Sequence, residues 1–351
     1  MRNIRSSRRG TSPEPGDLAS LLRQHLVGQD KAIDAIVPYV DMFHAGLSPA
    51  GRPVGVFLLL GPSGTGKTRT VEALAETIHG SERQILKIDC GEFQMEHEVA
   101  KLIGAPPGYL GHRETQPLLN QQKLNGVTSD NSALSLVLFD EIEKAAGSLQ
   151  RLMLGVLDKA TLKLGDNTSV NFEKSLIFMT SNLGAQSMMR ELEHGWGFEK
   201  IAAPPRGDQA SKLEAIAHSA AKRRFAPEFI NRIDSMVTYE PLTRDALDQI
   251  LDLQLSALQR HLFDRIGPIA FFLEVKDDAR DWLIRQGTSL HFGARELKRV
   301  IHRNILQPLS KHVAKNAFAP LSTVNVTVAE GGQSLEFTPS PAARGRTPKA
   351  A

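Results

Sequence analysis

Apolar residues fall in short, mainly apolar runs over the first two thirds of the chain and at helical spacing over the last third. The runs occupy 54–60, 85–88, 134–139, 176–179 and 236–239. Their length and separation predict buried strands of a parallel sheet joined by crossover helices. After the first run, Val71, Leu74, Ala75 and Ile78 share one face and predict a helix over 69–79. From Leu242 onward the period becomes helical. Leu247, Ile250, Leu251 and Leu255 mark one helix, Ala279, Leu283 and Ile284 a second, and Leu297, Val300, Ile301 and Ile305 a third. Val324, Val326 and Val328 then alternate ahead of Gly331-Gly332, Leu335 and Phe337, which predicts a closing hairpin. The pattern therefore predicts an α/β domain over 18–240 and a smaller, mainly helical domain with a terminal β-hairpin over 241–338. Residues 1–17 and 339–351, rich in Arg, Ser, Pro and Ala, have little to bury and are expected to be disordered tails.

Composition narrows the functions open to such a chain. With 41% hydrophobic and 23% charged residues among 351, it resembles an ordinary globular protein with room for a second domain. No apolar run approaches the roughly 20 residues of a membrane span, and the basic N-terminal stretch lacks the apolar segment expected of a secretory signal. The single cysteine, Cys90, permits neither an internal disulfide nor a zinc cluster, and a cytoplasmic location is expected. A net charge of +3 is too small to argue for a nucleic-acid partner.

The chemistry is carried first by Gly61-Pro62-Ser63-Gly64-Thr65-Gly66-Lys67-Thr68, which fits G-x-x-x-x-G-K-[ST] between a predicted strand and a predicted helix. Glycines there let backbone N–H groups turn toward phosphate oxygens, and the helix N-terminus favours negative charge. Lys67 is expected to reach the outer phosphates of a nucleoside triphosphate and the Thr68 hydroxyl to hold Mg²⁺. The run 136–139 then ends in Asp140-Glu141. A buried strand can deliver a carboxylate to its C-terminal edge, where Asp140 would help hold the metal and Glu141 would orient the attacking water. The alternative is a strand that merely stops at a solvated acidic turn.

The order of motifs resembles the AAA+ ATPases of the Clp unfoldase and disaggregase family, most closely a stand-alone second ATPase module. The similarity runs over about 26–328. Val27-Gly28-Gln29-Asp30 resembles the adenine-side segment, with Val27 and Gly28 against the base. Residues 88–93 resemble the family's second strand, although the usual side chains differ. Residues 102–111 resemble the substrate-gripping pore loop, with Tyr109 at its tip. Met179-Thr180-Ser181-Asn182 resembles the first sensor, Pro227–Asp234 the arginine-finger segment, and Phe292-Gly293-Ala294-Arg295 the second sensor. The resemblance implies ATP as the nucleotide, Asn182 near the γ-phosphate, Arg232 reaching a neighbour's nucleotide and Arg295 reporting nucleotide state. Plainer alternatives are a turn-capping Asn182, an Arg232 paired with Glu228 or Asp234, and an Arg295 that simply opens a helix.

Three departures qualify the match. His112 stands where a second aromatic is usual, Thr161 replaces an arginine, and the segment 120–132 is slightly long. Trp196-Gly197-Phe198 is similar to the tripeptide that docks on a Clp-type peptidase, but the same aromatics could pin the loop to its own domain. Together these features predict an ATP-driven unfoldase working as a homohexamer, which grips a polypeptide with Tyr109 and threads it through a pore. A peptidase or adaptor partner is a further expectation. The alternative is a regulatory assembly whose ATP state controls partner binding without threading. Neither a membrane nor a nucleic acid is expected as a partner.

Overall fold

The computed structural model describes residues 17–104, 117–195, 207–287, 293–315 and 317–340. The chain divides at Glu240–Pro241 into two compact units. The first contains α1 (Asp17–His25), α2 (Asp30–His44), β1 (Gly55–Leu60), α3 (Lys67–His79), β2 (Leu86–Asp89), α4 (Ala100–Ile103) and α5 (Gln121–Gly126). It continues through β3 (Ser135–Asp140), α6 (Gly147–Lys159), β4 (Thr161–Lys163), β5 (Ser169–Asn171), β6 (Ser175–Ser181), α7 (Ala185–Gly195), α8 (Gly207–Arg224), α9 (Pro227–Ile230) and β7 (Ser235–Thr238).

Five of these strands form one parallel sheet in the order β2-β3-β6-β1-β7, as the apolar runs predict. Successive residues of a strand point to opposite faces, so a strand covered on both sides must be apolar throughout. All six residues of β1 are buried. Val56, Leu58 and Leu60 join a core on one face with Val137, Phe139, Ile177 and Met179. Phe57 and Leu59 join the opposite core with Leu136, Leu138, Leu176 and Phe178. Phe57 stacks on Phe178 with ring centroids 5.4 Å apart, within the usual range for aromatic pairs. Helices α1, α2 and α3 supply Leu18, Leu22, Ile33, Ile36, Leu74 and Ile78 to that second face.

The segment in which Thr161 departs from the resembled pattern is a short antiparallel hairpin of β4 and β5. Asn167 takes φ +68° within its turn, where an Asn is tolerated better than most residues.

The second unit holds α10 (Arg244–Ile266), β8 (Phe272–Val275), α11 (Asp277–Gly287), α12 (Ala294–Ile301), α13 (Gln307–Ala314), β9 (Thr323–Val328) and β10 (Leu335–Ser340). One π-helical turn, His302–Leu306, joins α12 to α13. Leu251, Leu283, Ile284, Leu297, Val300 and Ile305 meet in its core, together with Val324 and Val326. The predicted hairpin is present as β9 and β10. It is widened by β8, which pairs parallel to β9 and is not apparent from the sequence pattern. Among the described residues no helix is long and apolar enough to cross a membrane.

Candidate functional site

In a parallel sheet every strand delivers its C-terminal end to the same edge. Here β6 lies between β1 and β3, so the residues that follow these three strands become neighbours. Gly61 follows β1, Glu141 follows β3 and Asn182 follows β6. Segments far apart in sequence are thus gathered by topology alone.

The phosphate-binding motif occupies the turn from β1 into α3. Gly61 takes φ +143°, and a Cβ there would lie 2.5 Å from the Tyr239 carbonyl oxygen. Gly64 and Gly66 also adopt positive φ, +77° and +108°. Such a backbone is open to glycine and strained for other residues. Lys67 begins α3 and is buried. Its ammonium donates to the carbonyls of Gly61 at 2.7 Å and Pro62 at 2.8 Å, and to Asn182 Oδ1 at 2.9 Å. The Asn182 side chain therefore faces the loop lysine rather than capping a turn. Thr68 is half-buried in the first turn of α3, and Ser63 and Thr65 complete the loop.

The link between α1 and α2 carries Val27, half-buried, and Gly28, exposed with φ +73°. A side chain added at Gly66 would meet Leu26 Cδ1 at 3.6 Å, so this segment lies along the loop. Gln29 is buried and donates to the Glu240 carbonyl at 3.1 Å.

Asp140 is the last residue of β3. Lys87 Nζ stands 2.8 Å from its Oδ2, and the Thr180 hydroxyl donates to its Oδ1. Glu141 follows with φ +57° and ψ +49°, a left-handed conformation disfavoured for a residue with a Cβ. Its backbone N–H donates to Thr180 Oγ1 at 3.0 Å, and its carboxylate contacts Lys144 Nζ at 2.5 Å. That hydrogen bond, reinforced by the charge of Glu141, raises the Lys144 pKa above its ordinary value. Asp140 and Thr68 offer hard oxygen donors of the kind Mg²⁺ takes alongside phosphates. No group of three or more His, Cys, Asp or Glu among the described residues could hold a metal ion. Cys90, buried below this edge, has its thiol pKa pushed up by burial and then by the surrounding carboxylates, which keeps it protonated.

Arg232 lies just past α9. Its guanidinium donates to the Glu228 carbonyl at 2.5 Å and stands 3.7 Å from Asp158. Asp234 instead accepts from the Val56 N–H at 2.8 Å and pairs with Arg52. Sequence reading named Glu228 or Asp234 as a side-chain partner for Arg232; the contacts found are the Glu228 backbone and Asp158. Arg295 is the second residue of α12 in the smaller unit. Tyr109, Trp196, Gly197 and Phe198 lie outside the described residues.

Four participants were not named for this edge by sequence reading: Lys87, Glu143, Lys144 and Arg224. Glu143 Oε1 accepts from the Asn182 N–H at 3.0 Å, and the Glu143 carbonyl accepts from Arg224 at 2.7 and 3.1 Å. The only signal for Glu143 and Lys144 was their place just after the two acids.

The family model of the AAA domain (Cdc48 subfamily) matches residues 52–236, and that of the C-terminal, D2-small domain of ClpB protein matches 242–326. The chain is 36% identical over 305 residues to Chaperone protein ClpB of Rhodopirellula baltica, covering 87% of this chain and 32% of that one. It is 35% identical over 322 residues to Chaperone protein ClpB of Meiothermus ruber, covering 92% and 35%. The chain thus spans about a third of the length of the curated relatives it matches. Among solved structures, it superposes on Hsp104 in a closed-state reconstruction with ATPγS and FITC casein. The TM-score is 0.75 at 28% identity, covering 92% of this chain and 51% of Hsp104.

Proposed function

This chain belongs to the AAA family of ATPases, with a ClpB-type small domain following, and we propose that it is an ATP-driven protein-remodelling motor. The observation that carries the reading is the convergence of Lys67, Asp140, Glu141 and Asn182 at one sheet edge. In the proposed cycle the backbone N–H groups of residues 61–68 and the Lys67 ammonium receive the ATP phosphates. Lys67 is held ready by two carbonyls and Asn182, and phosphate oxygens take over part of that coordination. Mg²⁺, bound through Thr68, Asp140 and the phosphates, would neutralise charge developing on the transferred phosphoryl group. Glu141 orients and polarises the attacking water. Arg232 of one subunit stabilises the phosphoryl charge in its neighbour's site, and Arg295 registers nucleotide state from the smaller unit.

The proposed assembly is a homohexamer acting on polypeptide. Support comes from the ClpB relatives, which are named chaperones, and from the Hsp104 structure with a nucleotide analogue and casein. Tyr109 is proposed as the gripping residue from its motif. Nothing in the ClpB relatives or the Hsp104 structure supports a peptidase or adaptor partner at Trp196-Gly197-Phe198.

The shared site is tested by mixing two inactive variants, Glu141→Gln and Arg232→Ala. If each boundary takes Glu141 from one chain and Arg232 from the next, the mixture regains part of the ATPase activity that either variant lacks alone. A mixture as inactive as its components contradicts catalysis in trans.

A further inference from the structure

The β3–β6 ladder does not end with its last backbone pairing. Phe139 and Met179 are the final register partners, and past them two side chains continue the connection in opposite directions. From β6, Thr180 reaches across to β3. Its hydroxyl proton goes to Asp140 Oδ1 while its oxygen accepts the Glu141 N–H at 3.0 Å. From the turn after β3, Glu143 reaches back, and its Oε1 accepts the Asn182 N–H at 3.0 Å.

Each half of this clasp fixes a group that the proposed chemistry needs. The Thr180 bond pins the backbone of Glu141, whose left-handed conformation would otherwise relax. The Glu143 bond sets the main chain of Asn182, whose side chain receives Lys67 at 2.9 Å. The turn itself is clamped from outside, because Arg224 of α8 donates to the carbonyls of Glu143 and Ala145. Glu143 Oε2 is buried with no hydrogen-bond partner among the described residues. A buried, half-satisfied carboxylate is a costly way to hold a turn, and such costs are commonly retained at functional sites.

We propose that Thr180 and Glu143 are positioning residues for ATP hydrolysis, a reciprocal clasp that registers Glu141 and Asn182 against Lys67. The inference rests on the reading of Glu141 and Asn182 given above. Neither residue of the clasp is assigned contact with the reacting atoms; they act through the groups they hold. Displacing a catalytic group by about 1 Å can lower turnover by about 100-fold.

The test is steady-state ATPase kinetics of the full chain with Thr180→Val, Thr180→Ser, Glu143→Ala, Glu143→Gln and, as reference, Glu141→Gln. Binding of a fluorescent ATP analogue is measured on every variant. Valine and alanine are expected to lower kcat by about tenfold or more while KM stays within about twofold. Serine keeps the hydroxyl and glutamine keeps the acceptor oxygen, so both should restore most of kcat. Wild-type kcat in Thr180→Val and Glu143→Ala, with Glu141→Gln inactive, overturns the clasp alone. Wild-type turnover in Glu141→Gln overturns the site reading and the clasp with it. If valine or alanine abolishes analogue binding, the conservative pair decides: turnover restored by serine and glutamine supports the clasp, and turnover lost with binding intact in both overturns it.

Discussion

Position 61 shows how narrowly the phosphate loop is specified. An alanine there needs φ near +143° and would press its Cβ to 2.5 Å from the Tyr239 carbonyl. Gly61 and Tyr239 directly follow the adjacent strands β1 and β7, so neither can yield without disturbing the sheet. Gly61→Ala is therefore expected to cost about 1–3 kcal/mol of stability from backbone strain alone and to weaken nucleotide binding. Thermal unfolding with and without ATP measures both. An alanine variant as stable as the parent and equally stabilised by ATP would contradict this. Lys67 illustrates the complementary point that a buried charge must be met. Its ammonium is surrounded by three oxygen acceptors, so it is held in place before any phosphate arrives.

At the level of elements, α3 is fastened to the sheet by a polar contact inside an apolar face. Thr70 of α3 meets the Tyr239 hydroxyl at 2.6 Å and donates its own proton to the Gly66 carbonyl at 3.0 Å. Tyr239 is fully buried just past β7, and burial raises its pKa and keeps the phenol neutral. The two partners are not equivalent. Tyr239→Phe removes one donor and leaves Thr70 bonded to Gly66, at a cost of about 1 kcal/mol. Thr70→Val strands a buried phenol hydroxyl and is expected to cost more, about 1–3 kcal/mol. Urea unfolding of both variants checks the order, and equal or reversed costs would contradict the assignment.

The central strands β1, β3 and β6 were legible because a strand buried on both faces must be largely apolar along its length. Strand β8 was not. Its four residues, Phe272–Val275, are partly exposed and are too few to establish a period between two helices. The β4–β5 hairpin was equally hidden, since only the middle residue of each three-residue strand is buried.

For the whole molecule, the same division between local and distant information governs the site. The phosphate loop and the Asp140–Glu141 pair are contiguous motifs, and their strands carry them to one edge. The links that arrange them are not contiguous. Thr180 lies 40 residues from Asp140, Glu143 lies 39 from Asn182, and Arg224 lies 81 from Glu143. No spacing rule joins such pairs; the first two become neighbours because β6 pairs with β3, and Arg224 is brought in by α8. Motifs therefore pointed to the groups proposed for the chemistry, and topology showed what holds them.

The proposed motor couples this site to movement of polypeptide, and loss of fluorescence from a fluorescent protein with an unstructured tail measures that coupling most directly. The account predicts loss that requires ATP and disappears in Glu141→Gln. It also predicts that Tyr109→Ala abolishes unfolding while ATP is still hydrolysed. Unfolding unaffected by Tyr109→Ala, or no unfolding by a chain that hydrolyses ATP at full rate, would contradict it.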